Sequence, residues 1–316
     1  MLFRRRRRCG NAEDIKKTQK DRKTNAPRQL PRVRPRALSN PRSGEPIHPW
    51  NPFSKSIQQT FDQTQSRLFQ LPAEIRLQIW FEFLGNRLLH IPRGSKKLLA
   101  VECVEEWDPE LDTGWHWCWG STHDPMTLGK TPGFYRGPKS PHSSKPANLL
   151  PLLQTCRMIY REAIPVLYQS NIFDINHVDT PIYLQQSVPR KRLNQIRSLH
   201  FTWDFKDHIE WADDVPYDLG TWRDSCNAIA SFAGLQKLTM HLTGETDHIP
   251  GMSAKDRWAP WLDELVRIEP AIEFRVFLRW PESDCAEAQK ECRYPFKLLP
   301  TAKKVVPPVQ SDTYVL

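Results

Sequence analysis

Three short stretches of alternating apolar residues, two of them preceded by a helical pattern, constrain the fold of this chain more than any other feature. Leu199, Phe201 and Trp203 alternate with polar residues, as do Leu238, Met240 and Leu242, and then Phe274, Val276 and Leu278. Alternation at period two marks a strand with one face turned to a core. The offsets between the three are 39 and 36 residues, a weak internal repeat. The intervals carry helical stripes, Trp222, Cys226, Ile229 and Ala233 in one and Trp258, Trp261, Leu262 and Leu265 in the other. Strands separated by a helix cannot pair as hairpins, so they require parallel pairing with right-handed crossovers. The expectation is a mixed α/β fold with irregular, leucine-rich-like helix–strand repeats over residues 181–295. The strict leucine-rich consensus is absent. Residues 282–293 read as a closing helix and residues 296–316 as a tail.

Residues 71–84, LPAEIRLQIWFEFL, predict a helix upstream of these units. Pro72 suits the first helical position, where its missing N–H costs nothing. Glu74 sits in the first turn, opposite the positive end of the helix dipole. Ile75, Ile79 and Phe83 recur every four residues as an apolar stripe, and Gly85 stops the helix. That stripe either packs into its own domain or stays open for a partner. Two strands at residues 87–91 and 98–104 flank the turn signal Arg93-Gly94-Ser95-Lys96 and predict a hairpin. A second helix spans residues 150–168, with Leu152, Cys156, Ile159, Ala163 and Leu167 on one stripe. Pro165 should kink it or split off its last turn. Residues 171–175 read as a short strand. Arg76, Arg157 and Arg161 lie opposite Glu74 and Glu162 across the two helices. They either pair between the helices or all point to solvent.

Residues 105–148 lose periodicity. Within them Trp115, Trp117 and Trp119 alternate, so in an extended strand all three indoles share one face. Exposed, that face is a binding hot spot or a base-stacking platform. Otherwise the segment folds back and buries the indoles on the hairpin.

Charge divides the chain unevenly. Residues 1–42 hold 15 Lys or Arg against three acids, a net of +12, whereas the remainder has 30 bases and 33 acids. Residues 1–66 therefore read as a disordered basic arm, too poor in apolar residues to offset the entropy of ordering. The run Arg4, Arg5, Arg6, Arg7, Arg8 is a nuclear import signal, a phosphate-binding arm for nucleic acid, or a solvated tail. Glu13 and Asp14 argue against a mitochondrial presequence. No run approaches the ~18 apolar residues of a membrane span, so no membrane association is expected. Seven scattered cysteines and no apolar leader predict an intracellular chain with reduced thiols, nuclear or cytoplasmic. His116, Cys118 and His123 lie close together, but no Cys-x-x-Cys pair accompanies them, and neither phosphate-cradling loops nor a nucleophile elbow occurs. The reading is a non-enzymatic protein without a metal or cofactor.

The pairing of LPAEIRLQIW with LLQTCRMIYREAIPVLYQSNIF at residues 152–173 is similar to a large group of fungal F-box-like proteins. The group includes the domain named for two Glu-x-Arg motifs. Glu74-Ile75-Arg76 matches the first motif, while Arg161-Glu162 reverses the order expected of the second. The resemblance covers about residues 67–205, so that residues 67–180 form an F-box-like unit of helix, hairpin, Trp-rich insertion and second helix. It implies a substrate-recognition adaptor of a cullin-type ubiquitin ligase. In that reading Leu71, Pro72, Ile75 and Ile79 contact a Skp-type linker, and the repeats with Trp115, Trp117 and Trp119 meet the substrate. The alternative is a nuclear scaffold or nucleic-acid-associated protein working through the basic arm.

Overall fold

The computed structural model describes residues 26–31, 63, 65–94, 96–103, 149–175, 177–204, 218–243, 254–268 and 273–301. Its frame is a sheet of parallel strands. The predicted strands form β6 (Ser198–Asp204), β7 (Lys237–Thr243) and β8 (Glu273–Leu278). They pair parallel, with Leu199 beside Leu238 and Leu238 beside Phe274, so the sequence offsets of 39 and 36 are the register of the sheet. β5 (Ile172–Ile175) precedes them and β9 (Lys297–Pro300) follows, each also parallel to its neighbour. At the N-terminal edge β1 (Leu88–His90) pairs parallel with β5, and β4 (Val101–Glu102) pairs antiparallel with β1. The order β4-β1-β5-β6-β7-β8-β9 advances in one direction after β1. Right-handed crossovers that always step the same way put their helices on the same face.

That helical layer contains α7 (Leu219–Ala230) and α8 (Ala254–Leu265). The Asp218 carboxylate starts α7 by accepting from the Thr221 backbone N–H at 2.9 Å and the Thr221 hydroxyl at 2.7 Å. The apolar stripe of α7 then meets the strands. Trp222 is fully buried, stacks on Phe201 at 5.7 Å and donates its indole N–H to the Trp261 carbonyl at 2.9 Å. Leu199, Leu238, Met240, Val276 and Leu278 complete the layer between sheet and helices, all fully buried. Gly234 lies where a side chain has no room, because a Cβ there would sit 1.9 Å from the Asn194 carbonyl oxygen. Arg197 bridges the same point, donating to the carbonyls of Gly234 at 2.6 Å and Asn194 at 3.2 Å.

The other face of the sheet carries a buried polar row among apolar neighbours such as Leu88, Val101 and Phe277. In register across it run His90, Asp174, His200 and Thr239, followed two residues on by Thr202 and His241. All six are buried. The His90 Nδ1 lies 2.6 Å from an Asp174 carboxylate oxygen.

Upstream of β1, a single turn α1 (Arg67–Gln70) leads into α2 (Ala73–Leu84). Pro72 occupies the N-cap with extended backbone, one residue before the first helical position expected for it. Gly85 caps the other end, and Asn86 takes the left-handed conformation with φ 54°. The hairpin turn is present. β2 (Arg93–Gly94) and β3 (Lys97–Leu98) pair across it, and Lys96 is left-handed with φ 59°.

Several expectations need correction. The helix expected over residues 150–168 is two helices, α3 (Leu150–Thr155) and α4 (Arg157–Gln169). They part at Cys156, whose backbone is extended and whose Sγ accepts the Ile159 N–H at 3.4 Å. Pro165 neither splits nor ends α4, which continues for four residues beyond it. Two helices escaped the sequence reading, α5 (Thr180–Ser187) and α6 (Arg190–Leu193). The closing helix is α9 (Glu282–Cys292), but the tail expected from residue 296 is not all tail. Phe296 and Leu298 are buried, and residues 297–300 form β9. Residues 26–31 are an exception within the basic arm. The Arg28 and Leu30 N–H groups donate to the carbonyls of Lys96 at 3.2 Å and Gln186 at 2.9 Å, and Pro27 is buried.

A candidate protein-docking surface

Helix α2 is held by the stripe one residue over from the expected one. Arg76, Trp80 and Leu84, four residues apart, face inward, and Trp80 and Leu84 are 1% exposed. Arg76 makes a two-pronged ion pair with Glu162 of α4, Nε to Oε2 at 3.0 Å and Nη2 to Oε1 at 2.9 Å. The Trp80 indole N–H donates to the same carboxylate at 3.1 Å. A two-pronged guanidinium–carboxylate contact fixes orientation as well as distance. Hydrogen bonding to Glu162 holds the Arg76 pKa above its usual value, and the reciprocal bond from Arg76 holds Glu162 low against the opposing effect of burial. The predicted pairing between the two helices is therefore present, carried by Arg76 and Glu162.

Arg76 also shapes the approach to the helix. Its Nη1 donates to the Leu71 carbonyl at 2.5 Å, and its guanidinium lies 5.6 Å from the Phe69 ring centroid. The Leu-Pro step before α2 is thus clamped from inside. At the far end Asn171, 1% exposed, ties the helices together. Its amide donates to the Leu84 carbonyl at 2.5 Å and the Leu167 carbonyl at 2.8 Å, and its oxygen accepts the Arg87 N–H at 2.8 Å. Terminal carbonyls of two helices, left over by their own ladders, are satisfied by this one side chain.

With rotation and ends fixed, the rest of α2 faces outward. Leu71, Pro72 and Ile75 are exposed, and Ile79 is half-buried against the core. Phe83 is 61% exposed, so at this position the stripe stays open. Ile75 is 44% exposed, so of the stripe that could have packed inward only Ile79 meets the core. Sequence reasoning missed Leu77, 48% exposed, and Phe81, 44% exposed, on the opposite flank of the helix. The available signal was composition: α2 carries apolar residues on more than one stripe, more than a single core contact can cover. Leu150 on α3 and Met158 on α4 are exposed as well. Soluble proteins keep contiguous exposed apolar patches small, and larger ones mark contact sites.

Trp115, Trp117, Trp119 and Arg4 to Arg8 lie outside the described residues. Among the described residues no three His, Cys, Asp or Glu side chains are arranged to hold a metal ion, and no helix is long and apolar enough to cross a membrane.

Neither a curated protein nor a solved structure matches the chain. A family model described as a domain of unknown function, DUF7730, matches residues 61–297, from just before α1 into the first residue of β9. That span takes in the α2–α4 clasp and the parallel strands together, and the chain belongs to this family.

Proposed function

We propose that this protein is a non-enzymatic interaction module that docks a protein partner on the outer surface of α2. The observation that carries the reading is the exposure of Leu71, Pro72 and Ile75, joined by Leu77, Phe81 and Phe83, on a helix whose opposite face is locked to α4. A rigidly held helix presents its outer side chains in one orientation and loses little further entropy on binding. By the resemblance of LPAEIRLQIW to F-box-like sequences, the partner is a Skp-type linker and the chain an adaptor of a cullin-type ubiquitin ligase. A stable interface buries about 1,200–2,000 Å² in total, and a helix of this length, roughly 18 Å, supplies part of one side. Further surface from α3 and α4, where Leu150 and Met158 are exposed, would complete it.

The test is co-purification of a Skp-type linker with the full chain and with the Leu71→Ala, Pro72→Ala double variant. The adaptor reading expects recovery by the native chain and its loss in the variant, with thermal stability unchanged. Correctly folded protein that recovers no linker removes the ligase assignment. It then leaves the alternative of a scaffold that meets nucleic acid through Arg4–Arg8 and the rest of the +12 segment.

A further inference from the structure

At the N-terminal edge of the sheet, three side chains of different chemistry meet on the face that carries the buried polar row. His90 on β1 and Asp174 on β5 are register partners, with Nδ1 and Oδ2 at 2.6 Å and both side chains 2% exposed. Cys103 follows β4. Its backbone N–H donates to the Leu88 carbonyl at 2.9 Å, which aligns it with Leu88, two residues before His90 and on the same sheet face. In that register Cys103 is the diagonal neighbour of His90 across the β1–β4 pair, on the same face, and it acts with Asp174 to hold the imidazole proton. With Nδ1 taken by Asp174, Nε2 is the nitrogen that can meet the sulfur. The order is sulfur, imidazole, buried carboxylate. That is the sequence of roles in which a base activates a nucleophile and a third group orients the base. Cys103 alone of the three is partly exposed.

Two further titratable groups stand near this arrangement. Glu102, next in the chain, is engaged by Arg87, and His200 stands one strand beyond Asp174. The other described cysteines differ. Cys226 and Cys285 are buried, and burial pushes both thiols up, Cys285 to about 11. Cys156 serves as a helix cap, and Cys292 is exposed at the end of α9.

We propose that Cys103, His90 and Asp174 form a nucleophilic thiol site that reacts with small hydroperoxides. With imidazole and carboxylate buried and Cys103 itself only partly exposed, the site favours a small electrophile over a polypeptide. The sulfur, its proton held by His90, attacks the terminal oxygen of the hydroperoxide. An S–O bond forms as the O–O bond breaks, and the departing alkoxide or hydroxide takes the proton from His90. The sulfur loses two electrons and becomes a sulfenic acid, while the peroxide is reduced to an alcohol or water. The site stands apart from the docking surface, since no residue of one belongs to the other.

The experiment uses the full chain, reduced, with site-resolved mass spectrometry. Iodoacetamide at about pH 6.5 should alkylate Cys103 roughly tenfold faster than Cys292, because only a thiolate reacts at that pH. Hydrogen peroxide followed by dimedone should place the sulfenic adduct on Cys103 ahead of Cys156, Cys226, Cys285 and Cys292. Asp174→Asn, which keeps the shape of the pair, should slow both reactions. Because the native chain supplies its own internal comparison, the outcome does not depend on a variant folding. Equal alkylation of Cys103 and Cys292 at that pH, or dimedone adducts led by another of these cysteines, would overturn the proposal.

Discussion

Helices α2 and α7 are of the same length, twelve residues, and each offers apolar side chains at four-residue spacing, yet they use them in opposite ways. On α7 the stripe Trp222, Cys226 and Ile229 is buried, and its partner is the sheet. On α2 the stripe Ile75, Ile79 and Phe83 stays largely outside, and the inward stripe is headed by Arg76. Both helices are also fastened by an Arg–Glu contact to a neighbouring helix. On α7 it is Arg223 to Glu264 of α8, at 2.9 and 2.7 Å, reinforced by Arg267 at 2.6 Å. The difference is what lies beneath. A helix over a parallel sheet has a continuous apolar floor, whereas α2 rests on α4 through one tryptophan, one leucine and a clasp. Periodicity therefore locates an apolar face, and tertiary context decides whether that face is core or contact surface.

The sharpest way to break the comparison is to remove the floor contact of α7. Trp222→Ala removes a fully buried indole, its stacking on Phe201 and its hydrogen bond to Trp261. A loss of about 3–5 kcal/mol in denaturant unfolding is expected. A loss below about 1 kcal/mol would mean that the helix–strand layer is not the main source of stability.

Titration sharpens the same contrast. Burial alone would lower His90, but its hydrogen bonds to Asp174 and Cys103 outweigh it and raise the pKa from 6.5 to about 9. A raised value means that the folded state holds the proton more tightly than the unfolded chain. This contribution is complete below about pH 6.5 and disappears as pH rises to about 9, a loss on the order of 3 kcal/mol. His90→Gln should flatten that alkaline limb. At the acid end the signs reverse. Arg76 lowers Glu162, and Arg223 and Arg267 lower Glu264. Their stabilisation is present above the ordinary glutamate value and fades as pH falls through the folded ones. The acid limb thus strikes both helix pairs, and the alkaline limb strikes the β1–β5 edge. Unfolding midpoints that stay constant from about pH 6.5 to 9 would refute the assignment to His90.

Legibility in the sequence followed the same division. Leu199, Leu238 and Phe274 predicted the strands and their parallel pairing, because each strand is half-buried and alternates cleanly, and their offsets prove to be the register. β9 was missed because Lys297 to Pro300 is too short to show alternation, and burial of Phe296 and Leu298 is supplied by neighbours distant in sequence. The break at Cys156 was hidden because a cysteine cap leaves no Ser, Asp or Asn signal. The surface of α2 was only partly legible. LPAEI singled out Leu71, Pro72 and Ile75, but the rotation of the helix depends on Glu162, which lies 86 residues away from Arg76. The row His90, Asp174 and His200 had a faint signal in the polar positions of LLH, IFDI and SLHF, which become meaningful only once the register is known.

The smallest expected effect discriminates most finely. Phe83→Asp places a charge on a side chain that is 61% exposed, on the outer flank of α2. Substitutions at exposed sites away from caps and buried networks usually change stability by no more than about 0.5 kcal/mol. The aspartate would lie near the negative end of the helix dipole, which costs a further few tenths of a kcal/mol, about 0.3. The net expectation is a loss well under 1 kcal/mol, roughly a quarter or less of that for Trp222→Ala. The same substitution should weaken partner capture strongly, since a desolvated unpaired charge in an apolar interface is expensive. Equilibrium unfolding and co-purification on one protein preparation separate the two quantities. If Phe83→Asp destabilised the chain as much as Trp222→Ala, the α2 flank would be core after all. The two helices would then be alike, and the docking surface would lose its physical basis.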